Sequence, residues 1–205
     1  MNDAQGSPVR GGTRWRRFAI ALVPAVAIVG AIVVGMSNGA IAASFAVSGS
    51  TFKVSADQLV GTGFVQYGGF VKDTHNNVHP VAVSGIKSAT LTNLCQSVVV
   101  PGTPISLVIR AGSDPNHPAA ATNLLIDMTQ LSGDATFENI NIGQDASTLN
   151  KGPTNAVGAQ DGFGQQADKV TINGLHQIAW STSAGTFTLN GLDLHVSLSG
   201  EQCFA

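Results

Sequence analysis

The stretch Ala167–Leu198, ADKVTINGLHQIAWSTSAGTFTLNGLDLHVSL, decides the fold class of this chain. It contains two β-type runs, Asp168–Trp180 and Thr186–Leu198, separated by Ser181, Thr182, Ser183, Ala184 and Gly185. In the second run Phe187 and Leu189 fall on one period-2 track. Beyond Asn190-Gly191, the residues Leu192, Leu194, Val196 and Leu198 alternate with Asp193, His195 and Ser197. Alternation of this kind sends one set of side chains to a core and the other to water. The four apolar residues are therefore expected inside and His195 in solvent. A short polar connection containing Gly joins strands in hairpins, so the stretch reads as a hairpin of an all-β domain.

Working outward, strands are expected at Phe45–Val54, at Gly63–Tyr67, around Val81 and Val83, and around Ala89 and Leu91. Further strands are expected at Ile105–Arg110, where Ile105, Leu107 and Ile109 share a face, and at Leu124–Gln130 and Thr136–Ile142. Breaks are expected at Gly61, Gly63, Gly68 and Gly69, in Asp73–Pro80 (DTHNNVHP), at Gly85 and from Pro101 to Pro104. Ser113–Pro118 and Ser132-Gly133-Asp134 read as further loops. Gln144–Asn150 reads as a single helical turn and Lys151–Gln166 as the longest loop. No helix of ordinary length is expected after Met36.

Four segments echo one another: Leu91–Gln96 (LTNLCQ), Leu125–Gln130 (LIDMTQ), Ile172–Gln177 (INGLHQ) and Leu189–Leu194 (LNGLDL). Ala56–Leu59 (ADQL) and Ala167–Val170 (ADKV) form a second echo. A solenoid needs near-constant spacing, whereas the first set starts 34, 47 and 17 residues apart. The expected cause is one strand-and-bend solution used repeatedly. The expected fold is thus a sandwich or a curled open antiparallel sheet, with a β-helix as runner-up.

Composition supports this class. Charged residues make up 11% of the 205, against roughly 25% in an ordinary soluble domain. Long helices carry many Glu and Lys, and a surface of hydroxyls and amides suits an exported β-protein better. Residues 1–36 hold Arg10, Arg14, Arg16 and Arg17 against Asp3 alone, while the other 169 residues hold 6 basic and 11 acidic groups. A mildly acidic domain with scattered Lys argues against a nucleic-acid partner, which calls for clustered positive charge.

Phe18–Met36 (FAIALVPAVAIVGAIVVGM) is an uncharged run of 19 residues behind the basic Arg14-Trp15-Arg16-Arg17. As a helix it would be about 28 Å long, close to the ~30 Å of a bilayer core. The basic flank should stay in the cytoplasm. Residues 1–17 are therefore expected to be a basic cytoplasmic terminus and 18–36 a transmembrane or signal-anchor helix, the chain's membrane partner. Ala40-Ile41-Ala42 makes 37–43 a candidate cleavage region, although the run exceeds the ~7–15 residues of a signal core. The β-domain, 44–205, is then extracytoplasmic, either tethered at the cell membrane or secreted after cleavage.

The two cysteines, Cys95 and Cys203, read as a disulfide in an exported chain. Neither belongs to a CxxC, so a redox or nucleophilic thiol is not indicated. No G-x-S-x-G occurs. The histidines are His75, His79, His117, His176 and His195, and their sequence positions nominate no catalytic triad. His75 and His79 have a zinc-like spacing only on a helix, and Asn76, Asn77 and Pro80 make the segment a turn. Asp134, Asp145 and Asp161 lie in Gly-rich loops without a calcium-loop pattern. Catalytic residues are thus unknown, and no metal or cofactor is expected.

The segments LTNLCQSVVVPG, LIDMTQLSGDATF, IGQDASTLNKGP and FGQQADKVTINGLHQIAWSTSAGTF resemble an uncharacterised family of exported proteins from filamentous actinobacteria. Its members are sometimes labelled cholesterol esterase. The resemblance runs from the membrane segment to the last Cys and implies an envelope setting, without carrying over any catalytic residue. The leading expectation is a non-catalytic envelope protein that binds an apolar or lipid-like ligand or a membrane partner. A lipid-ester hydrolase and a purely structural surface protein are the alternatives.

Overall fold

The structure, a computed structural model, describes residues 48–205. The basic terminus 1–17, the membrane or signal helix 18–36 and the cleavage region 37–43 all lie outside the described residues. Among those described, no helix is long and apolar enough to cross a membrane. By its contacts the described chain, 48–205, is one compact unit.

The strands are β1 (Phe52–Lys72), β2 (Val78–Thr92), β3 (Leu94–Val99), β4 (Ser106–Ala111), β5 (Ala119–Glu138), β6 (Asn141–Asp145), β7 (Phe163–Ser183), β8 (Thr186–Thr188) and β9 (Asp193–Ser197). Between β6 and β7 Ala146–Thr148 forms a single 3-10 turn, its first N–H groups capped by the Asp145 carboxylate. This falls inside the expected turn Gln144–Asn150.

All strands join one antiparallel sheet in the order β6-β7-β5-β2-β1-β3-β4-β9, and β8 pairs with β5. Because β7 also bonds β1 from Phe52–Ala179 to Tyr67–Gly164, the strands β1, β2, β5 and β7 close into a ring. The curled sheet is therefore shut rather than open, and a two-sheet sandwich does not form. A β-helix is overturned as well, since its strands stack in parallel whereas every pairing here is antiparallel.

So small a ring needs sharp curvature, and left-handed residues inside the strands supply it. Register places Asp57 of β1 between Asn93 (φ 52°) and Gly174 (φ 62°). It also places Asp168 of β7 opposite Gly63 (φ 68°), while Asn139 (φ 53°) hydrogen-bonds the Asp168 carboxylate at 2.8 Å. A left-handed residue turns the strand and resets its alternation, so inward side chains stand three apart rather than two. Leu91/Leu94 across Asn93 and Ile172/Leu175 across Gly174 are buried pairs of this kind. Ala56/Leu59 and Ala167/Val170, opposite such residues, are buried at the same spacing without a left-handed residue of their own. LTNLCQ and INGLHQ are these bends, and ADQL and ADKV are the stretches that face such residues across the ladder. LIDMTQ has no left-handed residue and shifts register twice between Asp127 and Gln130 instead, while LNGLDL turns at Gly191 between β8 and β9 with Leu192 exposed.

The ring encloses Leu59, Phe64, Ile86, Leu124, Met128, Val170 and Leu175 among others. On its outside, Val65 is fully buried beneath Leu149 and Ala156 of the 149–156 segment. The expected long loop Lys151–Gln166 is therefore shorter and packed: β7 already begins at Phe163. Gly63 and Gly85 lie within β1 and β2, and Ser132-Gly133-Asp134 lies within β5, so these expected breaks are bends in continuous strands.

The hairpin expected of Ala167–Leu198 does not form. After a break at Ala184–Gly185 the chain continues in the same direction as β8, still along β5. Only after Asn190 does it cross to β4 and pair there as β9, Ser106 with Ser197 through Arg110 with Asp193.

Candidate functional site

Strands β3, β4 and β9 extend beyond the ring as an apron, attached where β3 pairs with Lys53–Ser55 of β1. Cys95, Ser97, Ser106 and Val108 occupy one face of it, and all are buried. The last residues of the chain hold to this face at three points. Cys203 is bonded to Cys95, with Cα atoms 5.7 Å apart, and its N–H donates to Ser97 Oγ at 3.1 Å. Glu201 accepts from Arg110 at 3.0 Å and meets His195 Nε2 at 3.2 Å. Phe204 stacks on His176 at 4.6 Å, under the Lys53 ammonium, which also donates to the Phe204 carbonyl.

This clasp inverts the expected faces of β9, while on β4 Leu107 and Ile109 share a face as expected. Small residues next to the disulfide are the covered set, so the longer apolar residues are left outside. Leu192, Leu194, Val196 and Leu198 are 54%, 56%, 60% and 76% exposed. His195, expected in solvent, is instead half-buried under the tail between Asp193 and Glu201. Cross-strand register sets Ile109 beside Leu194 and Leu107 beside Val196, which extends the apolar face across the apron.

The same face leads into the ring. Leu94 and Gln96 of β3 stand on the side of Val98, and they line a cleft with Val54, Leu124, Leu175, Gln177 and Phe187. The free space is about 20 Å³, enough for one water-sized group. Gln177 and Gln96 sit directly opposite Val54 on its two sides. No charged side chain lines the cleft.

Charge is confined to the clasp and the loops. Hydrogen bonds that the His195 ring donates to Asp193 and then to Glu201 raise its pKa above the ordinary 6.5. Arg110, then His195, hold Glu201 below its ordinary 4.5. A raised histidine gives its full stabilisation below pH 6.5 and loses it as pH rises through the folded midpoint; a lowered carboxylate contributes above pH 4.5 and loses it on acidification. The clasp is therefore tightest between about pH 4.5 and 6.5. An NMR titration should place the His195 midpoint above 6.5, and Glu201→Gln should lower it. A midpoint at or below 6.5 in the unsubstituted protein contradicts this account.

The remaining histidines serve local structure. Asp73 closes its loop by accepting from Asn77 Nδ2, Asn77 N–H, His75 N–H and His79 Nε2, and these bonds pull its pKa down to about 2, the Asn77 side chain most. His79 stacks on Trp180 at 3.9 Å, and His117 pairs with Asp114 in an exposed turn. Asp145 caps the 3-10 turn and also takes the Asp161 N–H, while Asp134 lies in the bend of β5. No group of three or more His, Cys, Asp or Glu side chains among the described residues is placed to hold a metal ion.

Asp193, His195 and Ser197 share one face of β9, yet Ser197 Oγ bonds Ser199 and His195 Nε2 faces Glu201. Ser181 donates to Asp127. Among the described residues no serine hydroxyl bonds a histidine ring. What local reading missed is the role of the echo's last position: LTNLCQ and INGLHQ both end in the cleft glutamines. The repeated Gln was the available signal.

The model of one protein family matches residues 48–204, and its description is a family of unknown function, DUF6230. No curated protein matches the chain, and no solved structure does.

Proposed function

From the premise that the chain belongs to the DUF6230 family of unknown function, we propose that it is an exported, non-catalytic envelope protein that binds an apolar or lipid-like ligand on the apron at the ring mouth. The observation that carries this is the row Leu192, Leu194, Val196 and Leu198, more than half exposed at the apron edge while the tail bonded to Cys95 covers the apron's opposite face. Contiguous exposed apolar patches mark interaction sites. Covering these four side chains would supply on the order of 3–6 kcal/mol before the cost of association. The disulfide fits an oxidising compartment outside the cytoplasm. The uncharged run 18–36 would bring the domain to a membrane surface, where such ligands are found.

The test is mass spectrometry of lipids recovered with the full chain and with Leu194→Asp/Val196→Asp. These side chains point outward, so the variant should fold, while a charge in the contact should lower recovered lipid at least tenfold, by roughly 1.4 kcal/mol or more. Equal recovery from both proteins would remove the apron from the binding site. Sterol esters incubated with the same preparation should stay intact, because no described serine is activated by a histidine.

A further inference from the structure

We infer that the cleft at the ring mouth selects a neutral amphiphile with a hydroxyl or primary amide end, held by Gln177 and Gln96, and rejects the matching carboxylate. This rests on the ligand-binding role proposed above and specifies the ligand's polar end.

Gln177 is only 3% exposed. Its side chain lines the cleft, with no side-chain hydrogen bond to another described residue and with its amide still reached from the cleft. Gln96 lines the same cleft from across Val54 and likewise makes no such bond. The other buried glutamine behaves in the ordinary way: Gln166 accepts from the Asn150 and Lys151 N–H groups and donates to Gln144. An amide that lines an otherwise apolar cleft without a partner in the protein gives up water that a well-packed apolar residue would not need. Two such amides, one buried and one half-buried, flank Val54 in walls otherwise formed by Leu, Val, Ile, Phe and one Thr, and they point to a polar group arriving from outside.

The chemistry of that group follows from the walls. Each carboxamide offers both an acceptor and donors, which suits a group that both donates and accepts. A hydroxyl or primary amide does so. A carboxylate only accepts, and it would lose its hydration with no cation in the lining to compensate. Size agrees: about 20 Å³ admits one small polar group, leaving the hydrocarbon to lie over Ile109, Leu194 and Val196 on the apron. Entry is thus head first, with the chain outside.

The test uses the full chain, isotope-labelled on glutamine and kept soluble in a fluorinated surfactant, titrated at pH 8 with 1-octanol, octanoate and octane. 1-Octanol should shift the Gln177 and Gln96 side-chain amide resonances, and octanoate should bind at least about tenfold more weakly. Gln177→Leu should weaken 1-octanol about tenfold and leave octane unchanged. Gln96→Leu provides a second variant on the half-buried side of the cleft, with the same expected direction. Octanoate equal to octanol, or both variants binding octanol normally, would overturn the selectivity while leaving an apolar site in place. If none of the three probes moves any cleft or apron resonance, or they partition only into surfactant, the ligand-binding role itself fails.

Discussion

Replacing Cys203 by Ser should lower the unfolding free energy by about 4–5 kcal/mol, the largest single effect expected in this protein. The bond closes a sequence separation of 108 residues, so most of the described chain lies inside the loop it forms. Without it the unfolded ensemble regains the entropy of that loop, which grows with the logarithm of its length. The folded state also loses the fastening that keeps the tail beside Ser97. Urea denaturation of the oxidised protein and of Cys203→Ser measures the difference. Superimposable curves would mean that the clasp is held by Glu201 and Phe204 alone. Hydrogen exchange should then show which part opens first: residues 199–205 and β9 ahead of the ring strands, because only the tail and β4 hold β9.

Gly112→Ala should cost about 3 kcal/mol, from about 1–2 for a left-handed alanine and a further 1–3 for overpacking. Gly112 has φ 64° at the end of β4, where its N–H donates to the Asn190 carbonyl and its carbonyl accepts from Asn93. A Cβ there would stand 2.5 Å from the Ala119 nitrogen and 2.8 Å from the Leu91 oxygen, both of them backbone atoms that no rotamer change can move. Gly174 is the control. It has nearly the same φ, 62°, and open space around the missing Cβ. Gly174→Ala should therefore cost only the conformational part, about 1–2 kcal/mol. Equal midpoints for the two variants in urea would show that the crossing at Gly112 relaxes, and that the crowding there is not a constraint.

Much of the secondary structure was legible locally, because each strand carries its own apolar periodicity. Ile105–Arg110 is nearly β4, and the Gln144–Asn150 turn contains Ala146–Thr148. The bends were legible only as echoes. LTNLCQ and INGLHQ repeat because Asn93 and Gly174 do the same backbone job on the two strands that flank Asp57. Glycine and turn-forming residues at Gly63, Gly85 and Ser132-Gly133-Asp134 suggested breaks, yet the strands run through them. A residue that bends a strand and one that ends it have the same local preference. Which occurs depends on whether neighbouring strands pick up the hydrogen bonds on both sides.

Class, covalent framework and the identity of the two cysteines that pair were determined by the sequence alone, because composition, period-2 alternation and an isolated cysteine pair are local or exhaustive signals. Partner choice was not. Thr186–Leu198 looked like the second arm of a hairpin with Asp168–Trp180, but it splits, β8 following β5 and β9 joining β4. Nor did alternation say which face of β9 would be covered. A period of two fixes that Leu194 and His195 point opposite ways; it cannot say which way is inside. That was decided by the Cys95–Cys203 bond and the tail it secures, contacts between residues a hundred positions apart that bury the small face and leave the leucines outward.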